Sequence, residues 1–181
     1  MTLANADELL DVLSSSDRLG RVFARHAYGM RAWVDLFSVR VAETDDAAIK
    51  ALLATLVADN ARHMMLFRER AAAHGIDPDA YEPPGEGHAI YERIPRLSGT
   101  AELAGYALGS LDHFRELLEV YARVADGDDR RAIAQVISDV ERMQGALRPL
   151  ADASGAAVAS EAHELYRVRE LAETPLYVYA A

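Results

Sequence analysis

The chain has 181 residues, 51% hydrophobic and 27% charged, a balance that suits a folded protein with a sizeable core and not a disordered segment. A net charge of −10 argues against nucleic acid as the main partner, because phosphate binding needs a basic face. With no cysteine there is no disulfide framework, no thiolate metal site and no cysteine nucleophile.

Glycine and proline are few and clustered, which outlines long helices between breaks. The opening MTLANADELLDVLSSSDRLG lacks both a basic segment and a long apolar run, so no signal peptide is expected, and ADELLDVL reads as a short first helix. Ser16 or Asp17 can cap a first long helix that runs to about Val41. Its apolar positions are Leu19, Val22, Phe23, Met30, Trp33, Val34 and Phe37, at helical spacing. Thr44 in ETDD is the expected cap of a second long helix, which ends near His74 with Gly75 as its stop. Residues 75–98 break the pattern with four prolines and three glycines. A third long helix then spans about Thr100 to Ala125, with Leu103, Ala107, Leu111, Phe114, Leu117, Leu118 and Tyr121 along it. After the turn ADGDD, a fourth carries Ile133, Val136, Ile137, Val140, Met143 and Leu147 to about Ala153, and Gly155 is its expected end. A shorter helix and the apolar tail TPLYVYAA close the chain. Such a tail suits docking on its own bundle or on a second copy, and a homodimer is the expected assembly. No run approaches the roughly 18 apolar residues of a membrane span, so no membrane association is expected and the cytoplasm is the default compartment. Neither a strand nor an internal repeat stands out by identity.

The layout is helix, short turn, helix, long connection, helix, short turn, helix. Short turns make antiparallel neighbours. The connection can reach roughly 80 Å when extended, against about 40 Å for each long helix, so it can return along the whole bundle as a crossover. The expected architecture is all-α: one domain over residues 1–181, with a four-helix bundle at about 17–154 and a C-terminal helix and tail at 156–181.

Polar residues interrupt the apolar stripes in a pattern. In the second long helix the stripe Ile49, Leu52, Leu53, Leu56 meets Asn60 and His63 before it resumes at Met64 and Phe67. His26 lies on the first helix's stripe, 18 residues before Thr44, and His63 lies 19 after it, so the two stand level across the hairpin. His113 and Glu141 are each 14 residues from Gly127, again level, with Glu116 and Gln144 close by on their helices. With the crossover topology, all four helices bring these groups to one middle layer. Imidazole and carboxylate together suit zinc, iron or manganese.

The topology and the two spaced pairs, Asn60-Ala61-Arg62-His63 and Glu141-Arg142-Met143-Gln144, resemble the ferritin-like superfamily over about residues 17–154. Members with a di-iron or di-manganese centre place a Glu from each of two helices and a Glu-x-x-His from each of the other two inside the bundle. Here the matching places hold Asn60 and His63, Glu141 and Gln144, with His26 or Met30 on the first helix and His113 or Glu116 on the third, a degenerate version of that centre. The resemblance implies a remodelled metal site, occupied by iron, manganese or zinc, or holding no metal at all. His26, His63, Glu141 and His113 are the expected ligands, with Glu116 as a further candidate and Asn60 and Gln144 orienting a bound water or ligand. The implied activity is an oxidoreductase acting on a small molecule. The alternative is a metal-free bundle acting as a binding or scaffolding protein. His74, His88 and His163 are assigned to the surface.

Overall fold

The computed structural model describes residues 6–13, 18–82, 96–97 and 99–179, and every extended regular element among them is a helix. The expected caps Ser16 and Asp17, the loop residue His88 and most of the proposed crossover lie outside the described residues. The chain divides into two compact units, Gly20–Pro83 and Met1–Leu19 with Pro84–Ala181. His26, Met30, Asn60 and His63 belong to the former; His113, Glu116, Glu141 and Gln144 belong to the latter.

In the unit Gly20–Pro83, helices α1 (Arg18–Glu43) and α2 (Ala47–Ala73) form an antiparallel hairpin. The pairing is set by aromatic rings at helical spacing: Phe23 stacks on Phe67 with centroids 5.7 Å apart, and His26 meets the same ring at 5.8 Å. Val22, Phe23, Ala27, Met30, Trp33 and Phe37 of α1 are buried, as are Leu53, Leu56, Phe67 and Ala71 of α2. The hairpin turn differs from the expectation. Thr44 closes α1 instead of opening α2, its hydroxyl donating to the Arg40 carbonyl at 2.7 Å. Asp46 is the cap, and its Oδ1 accepts from the amides of Ala48 and Ile49 at 2.9 and 3.0 Å. A threonine four residues past a carbonyl can bond back to it, which leaves the carboxylate to satisfy the free amides and face the positive end of the helix.

The other end of α2 is as read. Gly75 takes φ +75, and the amides of Gly75 and Ile76 bond back to the carbonyls of Ala72 and Ala71 at 2.9 and 3.0 Å. This is the Schellman arrangement, which a residue with a Cβ adopts poorly. The chain beyond it is tied down by a bidentate Arg68–Asp79 pair, both contacts 2.6 Å, and by Tyr81 against Tyr28 at 5.4 Å.

The remaining unit contains α3 (Ala6–Leu13), α4 (Gly99–Val124), α5 (Gly127–Leu147), a 3-10 turn (Arg148–Leu150) and α6 (Ala153–Tyr179). Helix α4 is its centre, with Leu103, Tyr106, Phe114, Leu117, Leu118 and Tyr121 all buried. Against it α5 buries Ile133, Val136, Val140, Met143 and Leu147, as their spacing requires.

Gly155 does not end α5. That helix stops at Leu147, where Pro149 in the following turn removes a helical donor. Asp152 then caps α6, its Oδ1 accepting from the Ser154 hydroxyl at 2.6 Å and from the amides of Ser154 and Gly155 at 2.8 and 3.2 Å. Gly155 lies in the first turn of α6, and its reason is tertiary. A Cβ there would stand 2.5 Å from the Ala101 carbonyl of α4. Nor does the chain leave the helix before TPLYVY, since α6 runs to Tyr179. No helix among the described residues is long and apolar enough to cross a membrane.

Candidate metal centre

Helices α4 and α6 approach so closely that backbone meets backbone. A Cβ on Gly105 would collide with the Gly155 carbonyl, and a Cβ on Gly109 with the Ala159 carbonyl. The same Gly109 position would come 2.8 Å from the backbone nitrogen of His163. Pairs 105/155 and 109/159 advance together, so the helices run parallel. One turn further on, the same register brings His113 to His163, their rings edge-on at 6.0 Å and 83°.

The side chains at that level form a group of potential metal ligands. His163 Nε2 lies 3.1 Å from Glu116 Oε1, and His113 Nδ1 lies 3.9 Å from Glu116 Oε2. One ligand atom from each of His113, Glu116 and His163 falls within 4.8 Å of the others. Ligand atoms about 2.0–2.1 Å from a tetrahedral ion stand about 3.3 Å apart, so the Glu116–His163 edge already has the required length. The group is graded from inside to outside: the His113 side chain is 3% exposed, that of His163 31% and that of Glu116 55%. Two imidazoles and one carboxylate would hold an ion with further coordination positions to spare, and Glu116 places the outer side of the group at the solvent edge.

Charges around the group are largely committed elsewhere. One turn past His163, Arg167 donates to both oxygens of Glu164 at 2.8 and 2.7 Å, and these bonds hold the Glu164 carboxyl below its ordinary range. Arg115 lies 3.7 Å from Glu119 and 3.9 Å from Glu141.

The residues singled out from the sequence fall as follows. His113 and Glu116 are in the group. Glu141 is not: its side chain is 57% exposed and faces Arg115, because α5 turns Val140, Met143 and Gln144 inward and position 141 away. Gln144 is buried, and its amide donates to Asp112 Oδ1 at 2.6 Å, which makes it a strut between α4 and α5. In the hairpin unit, His26, Met30, Asn60 and His63 are all buried. Asn60 bonds its own helix, Nδ2 donating to the Leu56 carbonyl at 2.8 Å, and the buried Asp59 pairs with Arg62 at 2.9 Å.

His163 is the residue that sequence reasoning missed, having assigned it to the surface. A signal for it exists. Residues 105–113, GYALGSLDH, and 155–163, GAAVASEAH, share the pattern G-x-A-x-[GA]-S-x-x-H, fifty positions apart. It is too short to stand out by identity, yet these are the segments that pack side by side. The likeness ends three residues later, where α4 has Glu116 and α6 has Tyr166, which instead packs edge-on against Tyr106 at 5.9 Å.

Compared with known proteins, the chain matches no family model, no curated protein and no solved structure.

Proposed function

We propose that this protein binds one divalent metal ion through His113, Glu116 and His163 and uses it in an oxidoreductase reaction on a small molecule. The observation that carries the reading is the convergence of three ligand atoms of suitable chemistry within 4.8 Å, from two helices whose backbones touch. The ferritin-like resemblance supports the class of chemistry, with the site carried by α4 and α6 in place of the layer expected from His26, His63 and Glu141. Two imidazoles and a carboxylate suit iron(II), manganese(II) or zinc(II), and an ion so held supplies open positions at which a substrate oxygen or nitrogen is polarised. His113 anchors the ion from the buried side, while Glu116 and His163 hold it at the solvent edge where a small molecule has access. The protein is read as a cytoplasmic homodimer, and sedimentation at micromolar concentration checks the dimer.

Metal analysis after purification without chelator, followed by cobalt(II) titration of the apoprotein, tests the reading. One equivalent of bound ion, with His163→Ala losing it while remaining helical, is the expected result; no saturable binding refutes it. A second reading has its own observation. The Gln144–Asp112 and His163–Glu116 hydrogen bonds give these polar groups partners without an ion. A metal-free binding or scaffolding bundle would then tolerate His163→Ala with its ligand binding and fold intact.

A further inference from the structure

We infer that Gly109 is a positioning residue for the metal group, the element of the repeated G-x-A-x-[GA]-S-x-x-H pattern that sets His163 against Glu116 and His113. The inference rests on the metal reading for its purpose, but its geometry stands on contacts of its own. Glycine in a helix interior is less stable than alanine, so two glycines four residues apart in α4 ask for a reason. Gly105 meets the Gly155 carbonyl, which explains the start of the seam. Gly109 meets the Ala159 carbonyl in the same way, and its missing Cβ also leaves room for the backbone nitrogen of His163 itself. The Cα–H of Gly109 is directed at the Ala159 carbonyl, an approach open only to a residue without a side chain.

The effect on the ligands follows from helix geometry. Side chains lean toward the helix N-terminus, so His113 and His163 each cover the turn before them, the turn where Gly109 and Ala159 touch. Adding a methyl group at 109 must drive the two backbones apart at His163's own level. The 3.1 Å contact between His163 and Glu116 and the edge-on contact with His113 then open together. A shift of this kind does not change which ligands are present; it changes whether they meet. Loss of such support around a metal site typically weakens the ion by about 10- to 100-fold.

The test compares Gly109→Ala with Val136→Ala, a buried change on α5 that loses core volume without touching the seam. Two readouts are taken on full-length protein that circular dichroism shows to be helical: cobalt(II) affinity, and the NMR cross-peak between the His113 and His163 rings in the metal-free state. The expected result is loss of the ring contact and about tenfold or greater weakening of cobalt(II) in Gly109→Ala, with Val136→Ala retaining the contact and staying within about threefold of the parent. A Gly109→Ala protein that keeps the ring contact, or that weakens cobalt(II) no more than Val136→Ala does, overturns the inference. Should the parent bind no cobalt(II), the metal reading falls, and the ring contact alone still decides the role of Gly109. Should Gly109→Ala fail to fold, the parent's cross-peak between Gly109 Hα and the His163 amide decides it, its presence supporting the close approach and its absence refuting it.

Discussion

Asp112 is exposed and Gln144 is buried, yet truncating the exposed partner is expected to do more damage. The two share one hydrogen bond of 2.6 Å, donated by a neutral amide to a carboxylate. Such a charge-assisted bond is worth about 1.5–3 kcal/mol. Gln144→Leu removes it, but the Asp112 carboxylate stays at the surface and is resolvated by water. The change also removes an amide that had to be desolvated, a relief of about 1–3 kcal/mol, and leucine fills nearly the same volume. The two effects are of equal size, so the net change should lie within about 1 kcal/mol. Asp112→Ala removes the same bond and leaves the Gln144 amide buried with no acceptor, at a cost of about 1–3 kcal/mol. The assay is urea unfolding of both variants followed by far-ultraviolet circular dichroism, with the midpoints compared at a shared slope. Trp33, the sole tryptophan, lies in the hairpin unit and not with Asp112 and Gln144, so its fluorescence tells whether the two units unfold together. If Asp112→Ala proves milder than Gln144→Leu, the account of Gln144 as a strut satisfied by Asp112 is wrong.

Other consequences can be checked separately. Asp46→Ala should cost about 1 kcal/mol in urea unfolding, because Asp46 caps α2 through two amides, while Thr44→Val should cost less. Phe67→Ala should cost about 3–5 kcal/mol and collapse the Trp33 fluorescence transition to lower urea, since Phe67 is fully buried against Phe23 and His26. The hydrogen bond from Arg68 holds the Asp79 carboxyl below its ordinary range. A depressed folded value means that the link is fully present above the ordinary Asp range and is lost as pH falls through the lower value, so a carbon-detected NMR titration of Asp79 should show its midpoint move up in Arg68→Gln.

The helices were legible because their information is local. Apolar spacing marked the buried faces of α1, α2, α4 and α5, and Gly75 stopped α2 through its own backbone freedom, which needs no partner elsewhere in the chain. Local reasoning failed at the start of α2, where Thr44 was read as the cap but bonds back to Arg40, and Asp46 two residues on takes the role. It failed again at Gly155, because glycine signals a helix end and a close helix contact alike. The polar intruders were found correctly as buried groups in His26, Asn60, His63, His113 and Gln144, since a polar residue on an apolar stripe is visible without a fold.

Which of those groups meet is another kind of information. Glu141 stands one position from the buried Val140, and a 100° step per residue is enough to send it to solvent. His163 reads as an ordinary surface residue until the Gly109 backbone is seen against its own nitrogen. The sequence by itself determined the helices and their buried faces, while the G-x-A-x-[GA]-S-x-x-H pattern was too short to be read as a repeat. Only the tertiary structure decided that the two copies of the pattern lie parallel and in register, because that pairing depends on backbone contacts between segments fifty residues apart, which no local periodicity encodes.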